Sequence, residues 1–377
     1  MLAKKPPMGW NSWNTFGPNI SEQLILETAD AMIAQGYRDA GYEYLVIDDC
    51  WSLKERDADG RLVADPEKFP HGIKYVADYV HSKGLKFGMY SCAGVRTCAG
   101  YPASYDHEYA DAQTFADWGV DFLKYDFCNF PAVGNCKNRY HRMSMALKAT
   151  GRPILFSACN WGVEEPWKWM GAVGAHMYRS TGDITDNFKS FKDIALSQIG
   201  NLSMSGSGCF NDPDMLIVGM YGKGNVGLGG CTDVEYRTHF ALWCLFGVPL
   251  MMGGDIRTLN DVSRALLLNR ELIAINQDEE CRAPYCAAAH DDHYFFVRHL
   301  ANNEFALAYF NLSDNPQPVN GSFGCSFDEI GIPYGCGYGL ELTDVFTGEN
   351  LGIKRDYFIP ALEAHGCQMY RAKLVRA

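Results

Sequence analysis

Short apolar runs alternate with longer amphipathic stretches through roughly the first 280 residues of the chain. The runs are nearly continuous in apolar residues, which is typical of parallel strands covered on both faces. The stretches between them have apolar positions at helical spacing, and several end at a glycine, a common helix terminator. The predicted strands lie in the segments PPMGWNSW, YEYLVIDDCW, LKFGMYSCAG, VDFLKYDFC, PILFSACNW, AHMYRSTGD, GSGCFNDPDM and VPLMMGGDI.

Eight predicted strands with helices between them fit a (β/α)₈ TIM barrel over residues 1–280. A doubly wound open sheet is the alternative, but no G-x-G-x-x-G follows any predicted strand, so its commonest ligand signature is missing. After about Asp278 the pattern changes to short alternating runs separated by Asn, Gly, Asp and Pro. This change predicts a C-terminal antiparallel β-sandwich domain over residues 281–377.

Composition and charge exclude some classes of molecule as partners of this protein. The 45 acidic and 33 basic residues give a net charge of −12, which argues against nucleic acid and anionic membranes as partners. No apolar run approaches the roughly 18 residues of a spanning helix. The N-terminus shows no apolar signal-peptide core, so we expect a cytoplasmic protein, or a secreted one if a signal peptide was removed. Without C-x-x-C or H-E-x-x-H spacing we expect no metal and no cofactor, and homo-oligomerisation stays open.

Polar and aromatic residues recur where the predicted strands end, which is where a barrel of this kind places its active site. Any single Asp among them could be an ordinary helix N-cap, but a ring of carboxylates at one end of a barrel favours a binding site. Carboxylates, a Lys and an Arg can bind hydroxyls while Trp rings stack on the apolar face of a pyranose. These strand-end residues are Trp13, Asp48, Asp49, Trp51, Tyr90, Lys124, Asp126, Cys159, Trp161, Arg179, Asp183, Asp212, Asp214 and Asp255.

Two of these carboxylates are candidates for glycosidic-bond hydrolysis. Asp126 is the candidate nucleophile because it shares a strand face with Lys124, whose charge favours an ionised carboxylate; a buried Lys–Asp ion pair is the alternative. Asp183, on a loop past its strand, is the candidate acid/base, and we expect it to be partly desolvated. Its alternative role is the N-cap of a helix beginning near Thr185. An Asp-only Mg²⁺ enzyme and a non-catalytic carbohydrate-binding protein are the rival classes.

Five segments, MGWNSWNTF, YLVIDDCW, LKYDFC, YRSTGDITDNF and FNDPDMLIVG, closely resemble the α-galactosidase and α-N-acetylgalactosaminidase family, glycoside hydrolase family 27. The resemblance runs in order over essentially the whole chain. It implies a retaining, exo-acting α-galactosidase with Asp126 as nucleophile, Asp183 as acid/base and a Cys98–Cys128 disulfide beside the nucleophile. The substrate-binding residues that it implies are Trp13, Asp48, Asp49, Tyr90, Lys124, Cys159, Trp161, Arg179, Asp214 and Met215.

The chain departs from the family at one position near the sugar. Family members commonly carry Glu between the Cys and Trp that follow the fifth strand, whereas this chain has Asn160. Trp161 and Gly162 resemble the galactosidase pattern, with bulk that would exclude a 2-acetamido group. α-N-Acetylgalactosaminidase and β-L-arabinopyranosidase activity remain alternatives, although the presence of both Asp48 and Asp49 favours a full galactose subsite. The expected partner is a terminal α-galactosyl oligosaccharide or glycoconjugate.

Overall fold

The computed structural model describes residues 2–317, 327–355 and 360–377. Its first part is an eight-stranded parallel sheet in the order β7-β6-β5-β4-β3-β2-β1-β8, which confirms the predicted barrel class and all eight predicted strands. The strands are β1 Met8–Asn11, β2 Tyr44–Val46, β3 Lys86–Cys92, β4 Phe122–Asp126, β5 Leu155–Cys159, β6 Met177–Arg179, β7 Phe210–Asp212 and β8 Leu250–Met252.

The barrel is closed by a residue that lies beyond β7. Leu216 forms a parallel bridge with Met252 of β8. Its backbone N–H donates to the Met251 carbonyl at 2.8 Å, and its own carbonyl accepts from the Gly253 N–H at 2.9 Å. Residues 213–215 therefore lie across the carboxyl end of the barrel, between β7 and β8.

Most of the longer helices begin at a polar side chain that accepts a backbone N–H, as N-cap residues do. The predicted helical stretch 261–276 is divided in two because Asn269 caps a new helix there. No described helix is both long and apolar enough to span a membrane. The α-helices are α1 Trp13–Phe16, α2 Glu22–Ala34, α3 Tyr37–Ala40, α4 Gly72–Ser82, α5 Glu108–Asp117, α6 Cys136–Ala149, α7 Phe188–Gln198, α8 Asp233–Phe246, α9 Asp261–Leu267 and α10 Arg270–Asn276, and the 3₁₀ turns are Pro166–Lys168, Leu202–Met204, Ala301–Asn303 and Phe327–Ile330.

The C-terminal part is an antiparallel sheet in the order β13-β12-β14-β11-β10-β9, as the alternating pattern predicted. Alternate residues of β10 face opposite sides of the sheet. Phe296 therefore belongs to the core that is shared with the barrel, whereas Phe295 belongs to a separate apolar cluster on the outer face. The strands are β9 Tyr285–His290, β10 His293–Leu300, β11 Glu304–Asn311, β12 Tyr338–Asp344, β13 Asn350–Lys354 and β14 Cys367–Arg376.

A buried arginine of this sheet binds the end of a barrel helix. Arg298 of β10 donates from Nη1 to the Cys244 and Leu245 carbonyls at the C-terminus of α8, both at 3.1 Å. A cation at this end of a helix is favourable because the last carbonyls carry partial negative charge. Burial lowers the pKa of Arg298 to about 10. The contact fixes the second domain against the barrel at a distance from the strand ends that carry the site.

Candidate active site

The carboxyl ends of the barrel strands open into a pocket that is lined by both polar and aromatic side chains. Every catalytic or substrate-binding residue that the family resemblance implies lines this pocket. Those residues are Trp13, Asp48, Asp49, Tyr90, Lys124, Asp126, Cys159, Trp161, Arg179, Asp183, Asp214 and Met215, and Asn14, Cys98, Ile184 and Val226 line it with them.

We call Asp48, Asp49, Tyr90, Lys124 and Asp126 the floor of the pocket. Asp126, at the end of β4, is 6% exposed, and its carboxylate accepts from the Tyr90 hydroxyl and the Phe127 N–H, both at 2.9 Å. Burial raises the pKa of Asp126, while the Lys124 ammonium and these two donors oppose the rise. The direct ion-pair partner of Lys124 is Asp48, at 2.8 Å. Lys124 therefore acts on Asp126 through its charge.

The two neighbouring carboxylates of the floor are fixed by donors from several parts of the chain. Asp48 accepts from Asn11 Nδ2 at 2.8 Å as well as from Lys124. Asp49 accepts from the Cys50 N–H at 2.7 Å and from the Ala99 N–H at 3.1 Å. Burial raises the pKa of Asp49, and these donors limit the rise. Both carboxylates are thus held in place before any ligand binds.

The predicted disulfide between Cys98 and Cys128 is present, with 5.0 Å between the two Cα atoms. It joins the segment after Asp126 to the loop that supplies Ala99, the donor to Asp49. Cys98 Sγ lies 3.6 Å from Asp126 Oδ2. These sulfurs and Asp126 are close enough together to resemble a metal site. Because the sulfurs are bonded to each other, they are not available as thiolate ligands.

We call Arg179, Asp183, Ile184, Asp214 and Val226 the mouth of the pocket. The Asp183 side chain is 77% exposed and accepts from Arg179 Nη2 at 2.9 Å, so the expectation of a partly desolvated Asp183 was wrong for the free protein. Arg179 also pairs with Asp214 at 2.5 Å, and Asp214 accepts from the Ile184 N–H at 2.7 Å. Burial raises the pKa of Asp214 to about 6, against the opposing charge of Arg179.

Asp183 is not the N-cap of the following helix. Helix α7 begins at Phe188, and the side chain of Asn187 accepts its Ser190 N–H. The capping role that competed with catalysis therefore belongs to Asn187. Asp183 stands free of the helix at the opening of the pocket, with Arg179 as its ion-pair partner.

The three tryptophans predicted as sugar platforms have different positions. Trp13 and Trp161 line the pocket. Trp51 does not: it is buried, its Nε1 donates to the Tyr90 carbonyl at 3.0 Å, and its ring packs against Phe115 and Trp118. Its role as a platform was a wrong prediction. The reason is that Trp51 lies two residues past the pocket-lining Asp49, where the chain has already turned into the barrel wall.

Asn160 lies below the pocket surface. Its side chain is fully buried, and Nδ2 donates to the Val163 carbonyl at 2.5 Å. The next residue, Trp161, has a left-handed backbone with φ of +57°, and its ring meets Phe127 edge-on at 6.0 Å. Asn160 thus shapes the turn that presents Trp161 and does not itself line the pocket.

Two other strand-end carboxylates do not line the pocket. Asp212 lines a second cavity below it and accepts from the Asp214 N–H at 3.0 Å. Asp255 forms a two-point ion pair with Arg257, at 2.9 Å for each contact. The ring of carboxylates is therefore smaller than predicted. Conversely, Val226 lines the pocket from the glycine-rich loop 220–231, which the sequence had pointed to as a loop that decides the aglycone, although Val226 itself was not among the predicted site residues.

Comparison with known proteins gives matches over nearly the whole chain. The family model described as alpha galactosidase A matches residues 5–278, and that described as alpha galactosidase C-terminal beta sandwich domain matches residues 290–372. Alpha-galactosidase 2 of Arabidopsis thaliana is 50% identical over 376 residues, 98% of this chain and 89% of that protein. Alpha-galactosidase I of Mortierella vinacea has a TM-score of 0.92 at 35% identity, covering 98% of this chain and 97% of its own. The Saccharomyces cerevisiae α-galactosidase solved with raffinose has a TM-score of 0.91 at 30% identity, with 99% and 98% covered.

Proposed function

Because this chain belongs to the α-galactosidase family of glycoside hydrolases, we propose that it is a retaining, exo-acting α-galactosidase that removes terminal α-D-galactose. The observation that carries the proposal is one pocket with two carboxylates in opposite surroundings: Asp126 is buried on the floor, and Asp183 is exposed at the mouth. Exo action is proposed because the site is a pocket at one end of the barrel, with the Lys124–Asp48 ion pair on its floor.

The proposed reaction is a double displacement. Asp126 attacks C1 of galactose from the β face while Asp183 donates a proton to the departing oxygen, so the C1–O bond breaks as the enzyme ester forms. Asp183, now ionised, then removes a proton from water, which attacks C1 from the α face and releases α-galactose and free Asp126. Asp183 thereby regains the proton that it gave to the leaving oxygen, so both carboxyl groups return to their starting states at the end of each turnover.

The remaining residues are proposed to bind the galactose ring. Asp48 and Asp49 would accept hydrogen bonds from the 4- and 6-hydroxyls, and Trp13 would lie against the sugar face. Their donors from the protein keep these carboxylates in position without substrate, which lowers the ordering cost of binding. The other proposed substrate-binding residues are Tyr90, Lys124, Cys159, Trp161, Arg179, Asp214 and Met215.

The proposed substrate class is a terminal α-galactosyl oligosaccharide or glycoconjugate, in keeping with the raffinose bound to the yeast relative. We also propose that residues 1–280 form the catalytic barrel and residues 281–377 the C-terminal domain, since α10 ends at Asn276 and β9 begins at Tyr285.

Trp161 is the proposed size filter at the sugar 2-position. Comparing kcat/KM for 4-nitrophenyl α-galactoside and for its 2-acetamido analogue tests this role of Trp161. A preference for the acetamido substrate would contradict the assignment.

Azide rescue tests both catalytic assignments at once. In Asp126→Gly, azide occupies the vacated β-face position, and an aryl α-galactoside should give β-galactosyl azide. In Asp183→Ala, the enzyme ester still forms from an aryl substrate, and azide then attacks its α face to give α-galactosyl azide. NMR of the two products distinguishes the anomers. The same anomer from both variants, or β-galactose as the first product of the unaltered enzyme, would reject double displacement.

A further inference from the structure

A glycine-rich loop, residues 220–231, forms part of the pocket wall between β7 and α8. Its tip is bound to α1 by two backbone hydrogen bonds, from the Asn225 N–H to the Thr15 carbonyl at 3.1 Å and from the Val226 N–H to the Asn14 carbonyl at 3.0 Å. These bonds bring Val226 to the pocket surface. The loop is compact enough that a Cβ on Gly227 would lie 2.4 Å from the loop's own backbone.

One buried aspartate binds this loop through both its carboxylate and its backbone. Asp186 is fully buried, and its side chain accepts from the Gly222 N–H at 2.6 Å and from the Tyr236 hydroxyl at 2.9 and 3.1 Å. Its backbone N–H donates to the Val226 carbonyl, and its carbonyl accepts from the Gly230 N–H, both at 2.9 Å. Asp186 thus contacts the start, the tip and the end of the glycine-rich loop.

The same residue belongs to the segment that carries Asp183, three positions earlier. Between them, the Ile184 N–H donates to Asp214 at 2.7 Å, so the segment 183–186 is fixed at two points. The Tyr236 hydroxyl also accepts from the Tyr221 N–H at 2.6 Å, which ties helix α8 into the network. An unpaired carboxylate would be costly in this interior, and the donors aimed at Asp186 satisfy it.

We propose that Asp186 is a positioning residue: it holds the glycine-rich loop against the Asp183 segment, so that Val226 forms the pocket wall beside the leaving group. This inference rests on the proposed function, because the leaving group is defined by the assignment of Asp183 as the acid. Val226 and Asp183 both line the pocket, and the Asp186 backbone bonds directly to Val226. Proton transfer to the leaving oxygen depends on this placement.

The test compares two leaving groups. Nitrophenolate is a stable anion that departs with little help from an acid, whereas the sugar leaving group of raffinose requires a proton. Asp186→Asn should lower kcat/KM for raffinose by about 10- to 100-fold and for 4-nitrophenyl α-galactoside by less than about 3-fold. Asp193→Asn, at an exposed position on α7, is the matched control and should change neither. A purely structural role would lower both activities equally, and that result would overturn the proposal.

A second variant covers the case in which Asp186→Asn does not fold. Tyr236→Phe keeps the ring but removes the hydroxyl that donates to Asp186 and accepts from Tyr221. It should show the same preferential loss on raffinose, by about 3- to 10-fold; equal losses, or none, would reject the inference. If the unaltered enzyme hydrolyses neither substrate, the proposed function fails, whereas parallel losses in an active enzyme remove only the role of Asp186.

Discussion

The floor and the mouth of the pocket are built in different ways. The floor residues stand on β3 and β4 or directly after β2; all but the partly exposed Lys124 are buried, and each is bonded to other parts of the barrel. In the mouth, Arg179 ends β6, but the other members lie in segments beyond the strands, and the Asp183 side chain is mostly exposed. Strand geometry thus places the proposed nucleophile and the carboxylates proposed to bind the galactose hydroxyls, whereas a loop places Asp183, which is proposed to act on the leaving group. Changes in the two regions should therefore have distinguishable kinetic signatures.

The largest effect is expected on the floor. Asp126→Asn removes the proposed nucleophile while keeping its shape and its contact with Tyr90, so the fold should be retained. Turnover should fall by about 10⁴-fold or more, and by similar factors for raffinose and 4-nitrophenyl α-galactoside, because both need the same attack on C1. Steady-state kinetics with circular dichroism as the folding control checks this. Substantial residual activity on either substrate would place the nucleophile elsewhere.

At the mouth, the expected loss depends on the leaving group. Asp183→Asn cannot donate the proton, so kcat/KM for raffinose should fall by about 10²- to 10⁴-fold. The nitrophenyl substrate should lose much less in kcat/KM, because its glycosylation step needs little acid assistance. Asp193→Asn serves as the exposed control. Equal losses on the two substrates would remove the contrast between mouth and floor that these assignments require.

The same contrast explains which features were predictable. The side chains at positions 124 and 126 share a strand face by the two-residue period of β4, so Lys124 and Asp126 could be placed at the pocket before the structure was known. Val226 and Asp186 could not, because their positions follow from long-range hydrogen bonds between a loop, α1 and α8. Trp51 was misplaced for a related reason: a strand-end residue faces the pocket or the barrel wall according to local turning that periodicity does not encode.

Lys124→Met tests whether the Lys124 charge stabilises the ionised carboxylates of the floor. Lys124 is paired with buried Asp48, and removing one partner of such a pair typically costs about 3–5 kcal/mol. The Lys124 charge also lowers the pKa of Asp126, so its loss should raise that pKa further. Since Asp126 acts when ionised, the acid limb of the kcat/KM profile should move to higher pH. Lys189→Met, an exposed site on α7, should leave the profile unchanged. If the acid limb does not move in Lys124→Met, the Lys124 charge does not govern the ionisation of Asp126 and this prediction is rejected.

The smallest effect is expected when the Cys98–Cys128 disulfide, which joins the loop beside Asp49 to the segment after Asp126, is removed. The Cys98–Cys128 bond fixes the loop whose Ala99 N–H donates to Asp49, but neither sulfur takes part in the proposed chemistry. The double variant Cys98→Ser with Cys128→Ser should therefore raise KM by about 3- to 10-fold through a looser Asp49, with a smaller change in kcat. Cys336→Ser, at an exposed free cysteine, is the control. If kcat falls and KM does not change, the disulfide acts through its proximity to Asp126, and the sugar-binding role of this loop is rejected.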